Sequence, residues 1–428
     1  MKIGIIAVGS QGDVQPYAAL GAGLARHGHR VTLISHENFR PLAASCGLDF
    51  APVAGNPMEI VQGAEGQSWL ASSNRSVSFL LRLSRLARGI IDRLARDALA
   101  GSRGSDLIIY SLPLSISGYT VAESLGVPGI PAALYPLHAT ASFPSIMMPN
   151  FPLRAPLVNR ASAALVAKIF WSVIRPLQRR WRELELELPP LSRRSPFASF
   201  LGNGTPFLYG YSPSVIPRPA DWKEILAVCG YWFLDRQEGW KPPTGLLEFI
   251  EAGPPPLYIG FGSMASGDPK ATARVVLEAL ARSGQRALLA AGWGGLHAED
   301  LPDTIFPVGF VPHGWLFPRM AGVVHHGGAG TTATALRAGV PQAVVPFFAD
   351  QFFWGRRIAE LGLGPQPIAK RRLSVEPLAE AMRFLVTDRE TARRCAAMAA
   401  AIAGEDGIGT AVSVVERYFD RTTRRTMR

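Results

Sequence analysis

The sequence predicts an α/β chain of two Rossmann-like parallel-sheet domains, and three observations lead there. The amino terminus reads as an apolar strand, a glycine turn and a helix. A second series of short apolar runs alternating with helical stretches begins near Pro256. The chain has 428 residues, 48% of them hydrophobic, which is ample for two packed cores.

In chain order, Lys2 to Val8 reads as a buried strand and Gly9 to Gly12 as a turn. Asp13 to His27 reads as a helix with Pro16 in its first turn and Gly28 at its end. The segment Ser10-Gln11-Gly12-Asp13-Val14-Gln15-Pro16 lacks a G-x-G-x-x-G fingerprint and marks no dinucleotide site. Further strands are expected near 30–35, 106–110 and 129–134, giving a first domain over 1–212. Pro213, Pro217 and Pro219 open a linker over 213–255. The second domain, 256–408, has expected strands near 256–261, 286–290, 305–308, 321–325 and 342–346, and 409–428 holds a closing helix.

The stretch His325-His326-Gly327-Gly328-Ala329-Gly330-Thr331-Thr332 carries the most chemistry. It joins a buried strand to a helix through a glycine turn, which leaves backbone N–H groups and the positive end of a helix dipole free to face a phosphate. His325, His326 and the threonine hydroxyls add donors. The next unit repeats the layout: Gln342 to Pro346 as a strand, Phe347 to Gln351 as its exit loop, and Phe352 to Leu361 as a helix ending at Gly362. In a parallel sheet both loops leave the same carboxyl edge, so Asp350 and Gln351 fall beside the cradle. The plainer alternatives are an ordinary strand-to-helix turn for the glycines and a helix N-cap for Asp350.

Residues Val323 to Pro365, with HHGGAGTT, ALRAGVPQ, VPFFADQFFWG and ELGLGP, resemble the nucleotide-sugar site of GT-B glycosyltransferases and are similar to the sterol 3-beta-glucosyltransferase type. Phe347-Phe348 and Gln351-Phe352-Phe353-Trp354-Gly355 favour that subgroup. The GSQGDVQP loop resembles the opening of sterol-type and glycopeptide-antibiotic glycosyltransferases. This resemblance implies a GT-B fold with two domains facing across a cleft and a last helix crossing back to the first domain. It implies that His325, Gly328, Ala329, Gly330 and Thr331 hold the donor diphosphate, approached by Ser10 and Ser263. Asp350 and Gln351 would bind hydroxyls of the hexose, and Phe310 and Val311 would hold the base. Plant small-molecule members carry a histidine base where this chain has Asp13, so Asp13 is the expected catalytic base. Those members also place a ribose-binding Glu where this chain has Ala333.

Sugar transfer to a hydroxyl requires a group that takes the acceptor proton, and a carboxylate can do so. The plainer alternative for Asp13 is an N-cap of the first helix. A helix N-terminus lowers its pKa, whereas an apolar pocket raises it. The resulting expectation is an inverting transferase moving glucose from UDP-glucose to a lipophilic hydroxyl, that of a sterol, triterpenoid or polyketide. The nucleotide sugar is a co-substrate; the resemblance implies that no cofactor or metal is needed, and no Asp-x-Asp motif contradicts this. The alternatives are a dTDP-sugar transferase acting on a natural-product aglycone or hydroxy-acyl lipid, and a non-catalytic nucleotide-sugar binder. A nucleotide-sugar epimerase is disfavoured by the GDVQP loop and the Asp-Gln pair.

The net charge is +11, mostly from arginine. No basic stripe interleaved with aromatics accompanies it, so nucleic acid is not an expected partner. Ser76 to Leu99 and Leu157 to Arg182 are basic and amphipathic. They suit either an anionic bilayer surface or a core-packed helix with a solvated face. No transmembrane stretch is expected, because charges interrupt the apolar runs. Cys46, Cys229 and Cys395 lack metal or disulfide spacing, and the start does not read as a signal peptide. These features point to a cytoplasmic protein with at most peripheral membrane contact. Ser111 to Tyr119 and Tyr135 to Pro156, with His138, Phe143, Met147, Met148 and Phe151, are the expected acceptor lining, or else plain core.

Overall fold

The computed structural model describes residues 1–54, 91–112, 116–148, 155–193, 202, 204–234, 240–261, 269–290, 301–347 and 350–426. The chain forms two compact units, Met1–Leu234 with Glu405–Arg428, and Asp235–Gly404.

The first unit is a seven-stranded sheet: β1 (Lys2–Ile6), β2 (Arg30–His36), β3 (Asp49–Val53), β4 (Leu107–Ser111), β5 (Gly129–Ala133), β6 (Phe207–Tyr209) and β7 (Leu226–Val228). Its order is β3-β2-β1-β4-β5-β6-β7, and every pairing is parallel. β4 is buried along its whole length, as a parallel strand covered on both faces must be. The C-terminal helix, Gly407–Thr426, packs on the first helix, Gln11–Arg26. Gly23 permits this approach, because a side chain there would collide with Ile408. His29 Nε2 lies 3.0 Å from Glu416 Oε1 across the same contact.

The second unit is a five-stranded parallel sheet: β8 (Leu257–Gly260), β9 (Ala287–Ala290), β10 (Ile305–Val308), β11 (Gly322–His325) and β12 (Gln342–Val344), in the order β10-β9-β8-β11-β12. One core lies around Ile259, Val324, Leu378 and Met382, and another around Tyr258, Val323 and Phe317.

Three strands depart from the sequence expectation. β3 contains Pro52 and pairs only with β2, an edge position where a missing N–H is tolerated. β6 and β7 have three residues each, too few to show a period. The stretch 213–255 is therefore no free linker. β7 within it completes the first sheet, while Leu246 of the helix Leu246–Glu251 enters the second core. The return to the first unit falls at Glu405 rather than 409.

The expectation about membrane-length helices is also corrected. Two described stretches, Pro156–Glu185 and Arg389–Thr423, are long and apolar enough to cross a membrane by length and composition alone. Only Arg160 and Lys168 interrupt residues 157–174, which is too little charge to exclude the first. The second joins two helices that meet near Gly404.

Candidate active site

Both sheets reverse strand order beside their first strand in sequence, β1 against β4 and β8 against β11. The carboxyl edge at such a reversal is where open α/β sheets take ligands. In the second unit that edge carries Gly260–Phe261 where β8 ends and His325–Gly330 where β11 ends.

The helix Ala329–Ala338 begins there with Gly328 as N-cap. Its first turn has no acidic residue and no side-chain cap. The first intrahelical bond runs from Thr332 N–H to Gly328 O at 2.9 Å, so the amides of Ala329, Gly330 and Thr331 precede the ladder. Among the described residues no side chain caps this terminus, so its amides can receive an external anion. Gly327 has φ +89, and a Cβ on it would lie 2.6 Å from Val344 Cγ1 and 3.0 Å from the Gln351 carbonyl oxygen. Only glycine fits, and its fit brings the cradle and the Asp350–Gln351 loop into direct contact.

Three histidines crowd this edge. His325, fully buried at the end of β11, accepts the Gly327 N–H on Nδ1 at 3.0 Å and has Nε2 3.0 Å from Gln342 Oε1. His326 is hydrogen-bonded to the Gly260 backbone, and its buried Nδ1 has no hydrogen-bond partner among the described residues. His313 Nε2 lies 3.1 Å from the Tyr258 hydroxyl, and its ring stacks on Phe317. Burial pushes all three rings down, His325 to about 3 and His313 and His326 to about 4; neighbouring histidines add to the depression at His313 and His325. They are neutral at physiological pH and act through hydrogen bonds, not charge.

Asp350 occupies the N-cap position of the helix Gln351–Glu360 but makes no side-chain cap bond. Its Oδ2 instead accepts from the Trp354 indole N–H at 3.2 Å. Buried Gln351 accepts the Phe347 N–H at 2.8 Å. The two residues expected to share the base part ways: Val311 is core, whereas Phe310 is 64% exposed. Ala333 is buried in the cradle helix. Ser263 and Phe348 lie outside the described residues.

In the first unit the N-cap of the first helix is Ser10, and Asp13 is the third helical residue. Asp13 Oδ2 accepts both the Ser10 N–H at 2.8 Å and the Ser10 hydroxyl at 2.7 Å, the acidic arm of a capping box. Gly9, at φ +131, gives the carboxylate room, since a Cβ there would fall 2.6 Å from Asp13 Oδ2. Burial raises the Asp13 pKa and outweighs the lowering by the Ser10 hydrogen bonds. One turn on, buried Tyr17 donates to the Ala132 carbonyl at 2.9 Å and meets Trp232 edge-to-face.

The acceptor candidates divide. His138 Nδ1 lies 2.5 Å from the Tyr209 hydroxyl, and its ring stands edge-on to Phe207 and Trp222, with burial pushing its pKa down to about 4. It is a member of an aromatic cluster. Phe143 is half-buried and Met147 is 49% exposed. Phe151 and residues 76–90 lie outside the described residues.

The Glycosyltransferase family 28 N-terminal domain matches residues 3–144, and the erythromycin biosynthesis protein CIII-like C-terminal domain matches 285–412. A sterol 3-beta-glucosyltransferase of Arabidopsis thaliana is 38% identical over 432 residues, covering 98% of this chain and 68% of its own length. The chain belongs to the sterol 3-beta-glucosyltransferase family of glycosyltransferases. The Aspergillus fumigatus member is 36% identical over 98% of this chain, and this chain spans 30% of its length. The kitacinnamycin glycosyltransferase has a TM-score of 0.69 at 19% identity, covering 97% of this chain and 98% of its own. The calicheamicin glycosyltransferase CalG4 has a TM-score of 0.64 at 20% identity, covering 98% of both chains. These two likenesses establish the GT-B fold.

His313 and Gln342, which pack against Tyr258 and His325, were not among the residues expected from the sequence. Both were visible, in GFVPHGWLFP and AGVPQ. Their partners lie 55 and 17 residues away in sequence, and no local pattern links them.

Proposed function

We propose that this chain transfers glucose from UDP-glucose to the hydroxyl of a sterol. The carrying observation is the contact of Gly327 with Gln351, which sets an uncapped helix N-terminus beside Asp350 and Gln351. An anion and a polyhydroxy group side by side are what a nucleotide sugar offers. The amides of Ala329, Gly330 and Thr331 take the diphosphate, and Asp350 and Gln351 take the hexose hydroxyls. The sterol 3-beta-glucosyltransferase activity of the relatives supports glucose and a sterol over the other acceptors.

Asp13 takes the hydroxyl proton as the acceptor oxygen bonds to the anomeric carbon. The bond from that carbon to the diphosphate oxygen breaks, and UDP leaves with the electron pair, inverting the anomeric centre. A raised carboxyl pKa suits this work better than the low value of an exposed helix-terminal aspartate. Incubation with UDP-glucose and a sterol panel, read by mass spectrometry, tests the reading. UDP binding without any steryl glucoside would remove its support.

The same reading places the enzyme at a membrane surface, where sterols reside. The helix Pro156–Arg180 exposes Leu157, Leu165 and Ile169 at 79%, 50% and 40%. It carries Arg160, Lys168, Arg175, Arg179 and Arg180 and no acidic residue. Only 22% of its most apolar window is buried. An apolar face with basic neighbours suits an anionic bilayer.

A further inference from the structure

We infer that His325 is a positioning residue that acts on the donor through Gly327, and that Gln342 is the group that keeps it in that role. The inference rests on the donor reading above and assigns His325 a different part in it from direct contact with the diphosphate.

Both ring nitrogens of His325 are spent inside the protein. Nδ1 accepts the Gly327 N–H, so it carries no proton, and the single ring proton sits on Nε2. Nε2–H then donates to Gln342 Oε1 at 3.0 Å. The reverse orientation of the Gln342 amide would set an N–H donor against a nitrogen that already bears hydrogen, so the histidine also fixes the amide. Neither residue is solvent-accessible, and burial holds the ring neutral, with its pKa near 3. To reach a phosphate, Nε2–H must leave a buried acceptor unpaired, which is costly.

The arrangement instead controls the turn. Gly327 is held at its N–H by His325, and the space a Cβ would need is filled by Val344 and the Gln351 backbone. The next residue, Gly328, is the N-cap whose orientation aims the first-turn amides. Gln342 starts β12 and pairs with Val323, while His325 ends β11 and pairs with Val344. The side-chain bond therefore ties one end of the strand pair to the other. The pair keeps the cradle formed before the donor arrives, which lowers the ordering cost of binding.

The test uses the full chain. Ring nitrogens are read by 15N NMR with and without UDP, and kinetics compare Gln342→Met with Gln342→Glu. Expected are an Nε2–H tautomer in the free protein and a His325 signal that stays put while the amides of Ala329 to Thr331 shift with UDP. Gln342→Met raises the KM for UDP-glucose about tenfold, the equivalent of one lost hydrogen bond, with a smaller change in kcat. Gln342→Glu, which keeps an acceptor for Nε2–H, restores most of it. The inference is overturned if the His325 Nε2 signal moves with UDP alongside those amides, or if a folded Gln342→Met binds the donor as well as the wild type. If the amides do not respond to UDP at all, the donor reading falls and takes this inference with it. The tautomer of the free protein is measured without donor, so a wrong tautomer defeats the inference alone.

Discussion

Asp13 is locked to Ser10 by two hydrogen bonds to one carboxylate oxygen, from the Ser10 amide and from its hydroxyl. One side chain thus closes the start of the first helix and stands at the strand-order reversal of the first sheet. Structural and catalytic service are not exclusive at this position. An Asp13→Asn variant separates them, because its amide oxygen still accepts from Ser10 but cannot take a proton. Transfer is expected to fall by about a hundredfold to ten-thousandfold with UDP affinity unchanged. Parallel loss of folding and UDP binding would assign Asp13 to capping alone.

The pH dependence follows from the direction of the shifts. Burial raises the Asp13 pKa, so kcat/KM should decline on the acid side at a pH above that of an ordinary aspartate, as the base becomes protonated. Asp13→Asn should lose that limb. A limb unchanged in the variant would place the titrating group elsewhere.

Stability should change in a different window. His138, His313 and His326 have folded pKa values near 4 and His325 near 3, below the usual value of about 6.5 for an unfolded histidine. Between those limits the unfolded chain binds more protons, so stability is full above about pH 6.5 and is lost as pH falls towards 4. Denaturant titrations across that range check the sign. UDP affinity should stay flat from pH 8 down to the onset of this loss, since the cradle histidines remain neutral.

Gly327→Ala forces a side chain into a left-handed backbone position already occupied by Val344 and the Gln351 backbone. A cost of about 1–3 kcal/mol in stability is expected, with UDP affinity falling beyond what the stability loss explains. Asp350→Asn should behave oppositely. It keeps an oxygen to accept from the indole N–H of buried Trp354, so stability should move by less than about 1 kcal/mol, while the KM for UDP-glucose rises.

Replacing Leu157, Leu165 and Ile169 together with glutamate should abolish co-sedimentation with phosphatidylserine-containing vesicles but leave UDP binding intact. Wild-type binding should weaken with salt. Absence of wild-type binding to such vesicles at low salt would contradict the membrane assignment.

The cradle was legible because everything it needs is contiguous. A buried run, four residues from the HHGG turn and a helical period follow one another between Val323 and Ala338, and the sheet's carboxyl edge brings in Asp350. The roles within it were less legible. His325 reads from sequence as a ligand; its buried ring shows its nitrogens bound to Gly327 and Gln342, a pairing made only when β11 meets β12. The capping alternative for Asp13 fell three residues from its true form, since Ser10 and not Asp13 is the N-cap of the helix. The acceptor lining was the least readable part. Apolar side chains serve core and pocket alike, and His138, a polar residue in that stretch, is bound to Tyr209 within an aromatic cluster.

The measurement that bears most directly on the whole account is product formation from UDP-glucose and a sterol in vesicles, followed by mass spectrometry for wild type and Asp13→Asn side by side. The wild type is expected to give steryl glucoside and UDP in equal amounts, and Asp13→Asn, while still binding UDP, at least about a hundredfold less of both. Steryl glucoside produced undiminished by Asp13→Asn, or UDP bound by the wild type with no glucoside from any sterol, would contradict it.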